Sequence, residues 1–328
     1  MVVLWAWATC GTAQEFVIKF ATVAPEGSTW MNIMRQYDAA VRKESGGRIG
    51  FRIYPGQVMG DESAVLRKIR VGQLQSGGFT GVGLGDVAPL VRILDTPFLV
   101  NSADESDHLY SKFGKEFEAA FEEGGYVLLG WAEVGFVHVF TKKKITKPED
   151  LSSIRMWTWE GDPVAAAAFS ALDINPIPLS ITDVYSSLQT GLIDAFYTPP
   201  LAALALQWFT QVKYVVQVPL ANSAGAVLIS KKFFDKMPAD LQEILVRNGK
   251  KFMAELTGLS RRDNAKAMET LSRQGIEGIP VGKSDLARYV EAGERARQAL
   301  AGKLYSKEFL AQVEKALQDF RASKGASR

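Results

Sequence analysis

Cysteine is almost absent from this chain of 328 residues, the single one being Cys10. Disulfides, cysteine-ligated metals and thiol catalysis are therefore excluded from everything that follows it. Histidine is scarce too, with only His108 and His138. No HExxH pair or serine elbow occurs, and Gly81-Val82-Gly83-Leu84-Gly85 lacks the GxGxxG spacing that lets a helix N-terminus approach a pyrophosphate. No catalytic residue, cofactor or metal ion is expected. An excess of one charge is also missing: 38 Lys and Arg nearly cancel 36 Asp and Glu, so charge draws the chain to neither nucleic acid nor anionic lipid. Beyond its first residues the chain has no apolar run near the ~20 needed to span a membrane, and no internal repeat or low-complexity tract.

What is present has the composition of a folded globular protein, 47% apolar and 23% charged. Its length exceeds what one hydrophobic core usually supports, so two lobes are the first expectation. The opening MVVLWAWATCGTAQ is apolar and ends in small residues, like the back half of a secretory signal without its basic start. It predicts a start codon assigned too late, removal of residues 1–14, a mature chain from near Glu15 and a periplasmic location. Attachment of a lipid at Cys10 is the alternative.

Phe16, Ile18 and Phe20 alternate as in a strand that stops at Pro25 and Gly27. A helix capped by Ser28 follows, then a strand at Ile49, Phe51 and Ile53, and a second helix over 61–71. This alternation predicts a parallel sheet. It resumes after Gly125 with strands over 126–131, 136–141 and 154–159, then an Ala-rich helix, a strand over 174–179, a helix over 182–192 and a short buried strand at 195–197. From Pro238 to Gln274 one apolar face runs without proline, predicting a helix of roughly 50 Å that braces both lobes unless Gly249 or Gly258 breaks it.

The most pointed local feature is Arg155-Met156-Trp157-Thr158-Trp159. If it is extended, Arg155, Trp157 and Trp159 share one face, a guanidinium beside two indoles. That set suits a carboxylate with an apolar body, although pairing of Arg155 with an internal acid and tryptophans in the core would produce the same spacing. The glycines of 77–85 beside Thr80 can hold an anion or make a tight turn. His138, between two valines, reads as a packing residue or as a ligand contact.

The motifs Ala21-Thr22-Val23-Ala24-Pro25 with Trp30, Tyr54-Pro55-Gly56 with Gly60-Asp61-Glu62, and Pro97-Phe98-Leu99 occur in order. Pro148-Glu149-Asp150-Leu151, Ile154-Arg155, Val184-Tyr185, Leu188-Gln189-Thr190-Gly191, Ile193-Asp194 and Pro199 complete the series. With them the chain resembles, nearly end to end, the DctP-type solute-binding proteins of tripartite ATP-independent periplasmic (TRAP) transporters. The resemblance implies an α/β, two-lobed periplasmic binding protein fold with a long helix bracing both lobes and a ligand cleft between them. Lobe I would comprise 15–135 plus about 225–272, and lobe II 136–224 plus about 273–328. It implies a non-enzymatic subunit that captures a small organic acid by hinge closure and delivers it to the membrane permease, as a monomer or alternatively a dimer.

The resemblance also assigns Arg155 to the ligand carboxylate. With the rule that open α/β sheets bind at the carboxyl ends of their strands, the expected contacts are Glu26, Ser28, Phe79, Thr80, Gly81, Trp157, Trp159, Tyr197 and Thr198, with Trp131 and His138 as further candidates and Trp208 as another. Three departures stand out: Gly135-Phe136-Val137 lacks a second arginine common in the family, Tyr197-Thr198 replaces Glu-Asn, and Met156 to Trp159 replaces a valine and proline. They predict a monocarboxylate with an apolar or aromatic body over a sugar acid or C4-dicarboxylate. The competing readings are a sensor module presenting its ligand to a membrane receptor, and a lyase or isomerase using His138 and Glu133.

Overall fold

The computed structural model describes residues 14–325, so the signal-like opening and Cys10 lie outside the described residues. The first lobe begins as β1 (Phe16–Thr22), α1 (Thr29–Glu44), β2 (Ile49–Tyr54), α2 (Glu62–Arg70), β3 (Ser76–Thr80) and α3 (Gly81–Val87). The alternation in β1 buries Ile18 and Phe20 completely. Ser28 Oγ accepts the Met31 N–H and Asp61 accepts that of Ala64, fixing where α1 and α2 start. A 3-10 segment, Pro89–Asp95, leads to α4 (Ala103–Glu123) and β4 (Tyr126–Trp131).

At β5 (Gly135–Phe136) the chain crosses to the second lobe. This lobe comprises β6 (His138–Thr141), β7 (Trp157–Trp159), α5 (Pro163–Ser170), β8 (Ile177–Leu179), α6 (Val184–Thr190), β9 (Ala195–Thr198), α7 (Pro200–Ala205) and β10 (Tyr214–Val216). The return strand β11 (Asn222–Ser223) pairs antiparallel with β5. It leads into β12 (Gly225–Ser230), which inserts antiparallel between β3 and β4. The first sheet thus runs β2-β1-β3-β12-β4. The expected parallel pairing holds among β1, β2 and β3, while β12 runs the other way because the chain re-enters from the opposite lobe.

After α8 (Lys231–Phe234) comes α9 (Ala239–Arg273), then β13 (Glu277–Ile279), α10 (Lys283–Leu300) and α11 (Lys307–Gly325). β13 completes the second sheet, β13-β10-β6-β9, and β7 pairs with β8 beside it. The trailing segment that the sequence assigned whole to lobe II divides: α10 packs on α5, but α11 packs on α4 of the first lobe. Arg321 there donates to Glu105 and to the Leu99 carbonyl.

α9 runs its 35 residues unbroken, about 52 Å at ~1.5 Å per residue. Its Leu245, Phe252, Met253 and Leu256 belong to the core of the first lobe, its Leu271 to that of the second. Asn264 donates to the Val134 carbonyl and accepts the Leu201 N–H, pinning the crossover and α7 to one turn of this helix. Gly249 permits the close approach of β4, since an added Cβ would stand 2.5 Å from the Leu129 carbonyl oxygen. Gly258 has no heavy atom within 4 Å of that position. In thermal melts Gly258→Ala is expected to stabilise by about 0.5–1 kcal/mol through helix propensity, and Gly249→Ala to destabilise by about 1–3 kcal/mol through overpacking.

Candidate functional site

Between the carboxyl-terminal edges of the two sheets lies a cavity of about 260 Å³. The first lobe contributes the turn after β1 with Pro25 and Ser28, and the end of β3 with Phe79, Thr80 and Gly81. The second contributes Trp157, Trp159, Phe169, Tyr197 and Thr198, and Val134 and Val137 lie at the crossing. The aromatic wall is rigid by mutual packing. Trp157 stacks on Tyr197 at 5.1 Å, meets Trp208 edge-on at 5.5 Å, and donates its indole N–H to the Leu179 carbonyl at 3.0 Å. The Tyr197 hydroxyl accepts the Trp159 N–H at 3.3 Å, and burial raises its pKa so that it stays neutral.

Among these apolar walls sit one guanidinium and three carboxyl side chains that sequence reading missed as contacts: Arg92, Glu62, Asp95 and Asp162. Arg92 is only 3% exposed. Its Nη2 lies 2.5 Å from Asp162 Oδ1 and its Nη1 3.1 Å from Asp95 Oδ2, so an arginine of the first lobe meets an aspartate of the second across the cavity wall. Asp162 also caps α5, accepting the Val164 N–H at 2.9 Å. Asp95 accepts the Ala224 N–H at 2.7 Å, and burial pushes its pKa up to about 6 against the pull of Arg92. The sequence did carry a signal for this pair. Arg92 interrupts the apolar run Leu90-Val91-Ile93-Leu94, with an aspartate three residues on.

The glycine loop 77–85 turns out to be the end of β3 and the short helix α3. Its first N–H groups are occupied by a carboxylate of the protein. Glu62 accepts from Thr80 N at 2.8 Å, Gly83 N at 2.7 Å and Thr80 Oγ1 at 3.1 Å, and burial pushes its pKa up to about 7. Gly81 leaves room for Asp95, whose Oδ2 would lie 1.8 Å from an added Cβ.

Of the expected contacts, Ser28, Phe79, Thr80, Gly81, Trp157, Trp159, Tyr197 and Thr198 line the cavity, as does Trp208. Arg155 does not. Its Nε and Nη2 donate to the two oxygens of Asp194 at 2.9 and 2.7 Å, and its side chain is 52% exposed. The strand begins only at Trp157, after a 3-10 segment, Pro148–Ser153, so Arg155 lies at the amino end of β7 and β9 while the cavity faces their carboxyl ends. This bidentate pair, helped by Lys143, holds the Asp194 pKa down to about 2. Glu26 forms an exposed ion pair with Arg35, and Trp131 packs against Tyr110, Phe117 and Phe121. His138 gives its Nδ1 proton to the Val216 carbonyl at 3.0 Å, while Glu133 is held by Arg261 at 2.7 Å. The acid–base pair considered for a lyase is thus tied up in separate structural contacts outside the cavity.

A profile of the family described as bacterial extracellular solute-binding protein, family 7 (DctP), matches residues 20–303. A solute-binding protein of Verminephrobacter eiseniae is 29% identical over 255 residues, 77% of this chain and 75% of the relative. The 2,3-diketo-L-gulonate-binding periplasmic protein YiaO of Escherichia coli is 25% identical over 75% of each chain. The crystal structure of a TRAP periplasmic solute-binding protein of Haemophilus influenzae with bound L-gulonate superposes with a TM-score of 0.86, covering 93% of this chain and 99% of that one at 20% identity.

Glu62 gives a measurable pH signature. A carboxyl whose pKa is higher folded than unfolded binds its proton more tightly in the native state, so stability falls as pH rises from about 4.5 towards the folded value of about 7. Melting curves of wild type and Glu62→Gln at pH 5 and pH 8 are expected to show a steeper loss with pH in wild type, the difference amounting to about 3 kcal/mol.

Proposed function

The chain belongs to bacterial extracellular solute-binding protein family 7, the DctP family of TRAP receptors, and we propose that it captures a small organic acid with an apolar or aromatic body for delivery to a membrane permease. The family consists of transport receptors and not enzymes, and its characterised relatives are periplasmic. Among the described residues no helix is long and apolar enough to cross a membrane.

The wall of Trp157, Trp159, Tyr197, Phe169 and Phe79 carries the reading. Two of the relatives named above, those of Escherichia coli and Haemophilus influenzae, bind gulonate-type acids, whose several hydroxyls each need a hydrogen-bonding partner when buried. The walls here offer few such partners and much ring surface, which favours a body without hydroxyls. Among the described residues Arg92 is the cation that lines the cavity, and with Arg155 engaged by Asp194 the acid group falls to Arg92. Ser28, Phe79 and Arg92 come from one lobe and Trp157 and Tyr197 from the other, so a ligand touching both favours closure, and the closed form presents itself to the permease.

A thermal-shift screen of purified protein against aliphatic, aromatic and sugar monocarboxylates tests the reading. Apolar acids are expected to raise the melting temperature with no product formed, and a preference for L-gulonate or a C4-dicarboxylate would defeat it. With the best acid, Arg155→Ala is expected to leave the affinity by calorimetry within about threefold of wild type, since its partner is Asp194.

A further inference from the structure

The guanidinium of Arg92 is fully buried yet incompletely used. Nη1 faces Asp95 and Nη2 faces Asp162, but the Nε proton has no acceptor among the described residues. A buried donor without a partner is costly, and native structures rarely leave one. In this chain the complete form of the interaction can be seen elsewhere, where Arg155 presents Nε and Nη2 together to the two oxygens of Asp194. On Arg92 the same edge holds a single oxygen, Oδ1 of Asp162, on its Nη2 half, and the Nε half lacks an acceptor.

We infer that Asp162 is an internal stand-in for the ligand's carboxylate, holding Nη2 of Arg92 until a bound monocarboxylate takes the whole Nε–Nη2 edge. The inference rests on the proposed capture of an organic acid. The exchange has a favourable side for each partner. Arg92 trades a one-point contact for a two-point one and satisfies its orphaned Nε–H. Asp162 keeps the Val164 N–H at the start of α5, so it is not left without a donor. The interlobe contact that is lost is replaced by a ligand that touches both lobes.

Charge then becomes the basis of selection. Among the described residues one guanidinium lines the cavity, together with Glu62, Asp95 and Asp162. A ligand bringing one negative charge replaces a carboxylate by a carboxylate at Arg92, whereas a dianion would place its second charge beside these acids with no cation to meet it. Asp162 is in this sense a specificity-determining residue, setting both how tightly acids are held and how many charges they carry.

Calorimetry on the full chain with benzoate, phenylacetate, hexanoate, their primary amides and succinate tests this, comparing wild type with Asp162→Asn. Asparagine keeps the shape and the helix cap, and Asp162→Ser, which caps α5 but is too short to reach Arg92, guards against a folding artefact. In both variants the best-bound monocarboxylate is expected to bind at least about tenfold tighter than in wild type, its amide to change by less than about threefold, and succinate binding to become detectable. Unchanged or weaker acid binding in both variants, where wild type binds the acid, overturns the stand-in and leaves the proposed function standing. Amides bound and every acid refused by wild type and variants alike overturns both.

Discussion

The two lobes are held in register by one continuous helix that neither could satisfy alone. α9 needs apolar cover along about 50 Å, and it finds β4 and α1 along one stretch and the second lobe's core along the other. Its unbroken course through Gly249 and Gly258 follows from packing: the first glycine is required by β4, and the second costs some propensity that burial on either side offsets. Asn264 ties the crossover and α7 to the same turn of this helix, so the span across the cleft, and with it the meeting of Arg92 and Asp162, is set by a rigid element.

Within that frame the cleft combines two demands that conflict in a medium of low polarity. Ring surface favours an apolar ligand, yet a guanidinium and three carboxylates are buried among the rings. The conflict is resolved by pairing each charge with protein groups: Glu62 with the first N–H groups of α3, Asp95 with Arg92 and Ala224, Asp162 with Arg92 and the start of α5. The Arg92 Nε proton and Asp95 Oδ2 are gaps in this scheme, and the first is a donor, the kind of group an acid needs.

At 20% identity the Haemophilus influenzae protein shares the fold over nearly the whole chain, and a shared fold does not fix the chemistry of a cleft. Fold is specified by many weakly constrained burial choices, and a ligand by a few side chains. In this chain that small set includes Trp157, Trp159 and Tyr197, which give the cleft an aromatic wall.

Burial patterns were legible in the sequence. The alternation of Phe16, Ile18 and Phe20, the caps Ser28 and Asp61, and the apolar face of α9 depend on period and on neighbours a few residues away, and each lies where those rules put it. So does most of the aromatic wall, because strand ends at the switch between lobes are where such a fold opens. The partner of a charge was not legible. Arg155 met Asp194 across 39 residues and Arg92 met Asp162 across 70, and although the apolar run around Arg92 marks it as buried, nothing local names the distant partner of either arginine. Periodicity decides which way a side chain faces, whereas the distance between two charges depends on how separate segments pack. The chain sequence therefore determined a two-lobed receptor with an aromatic cleft, and the tertiary structure alone decided which cation stands in it.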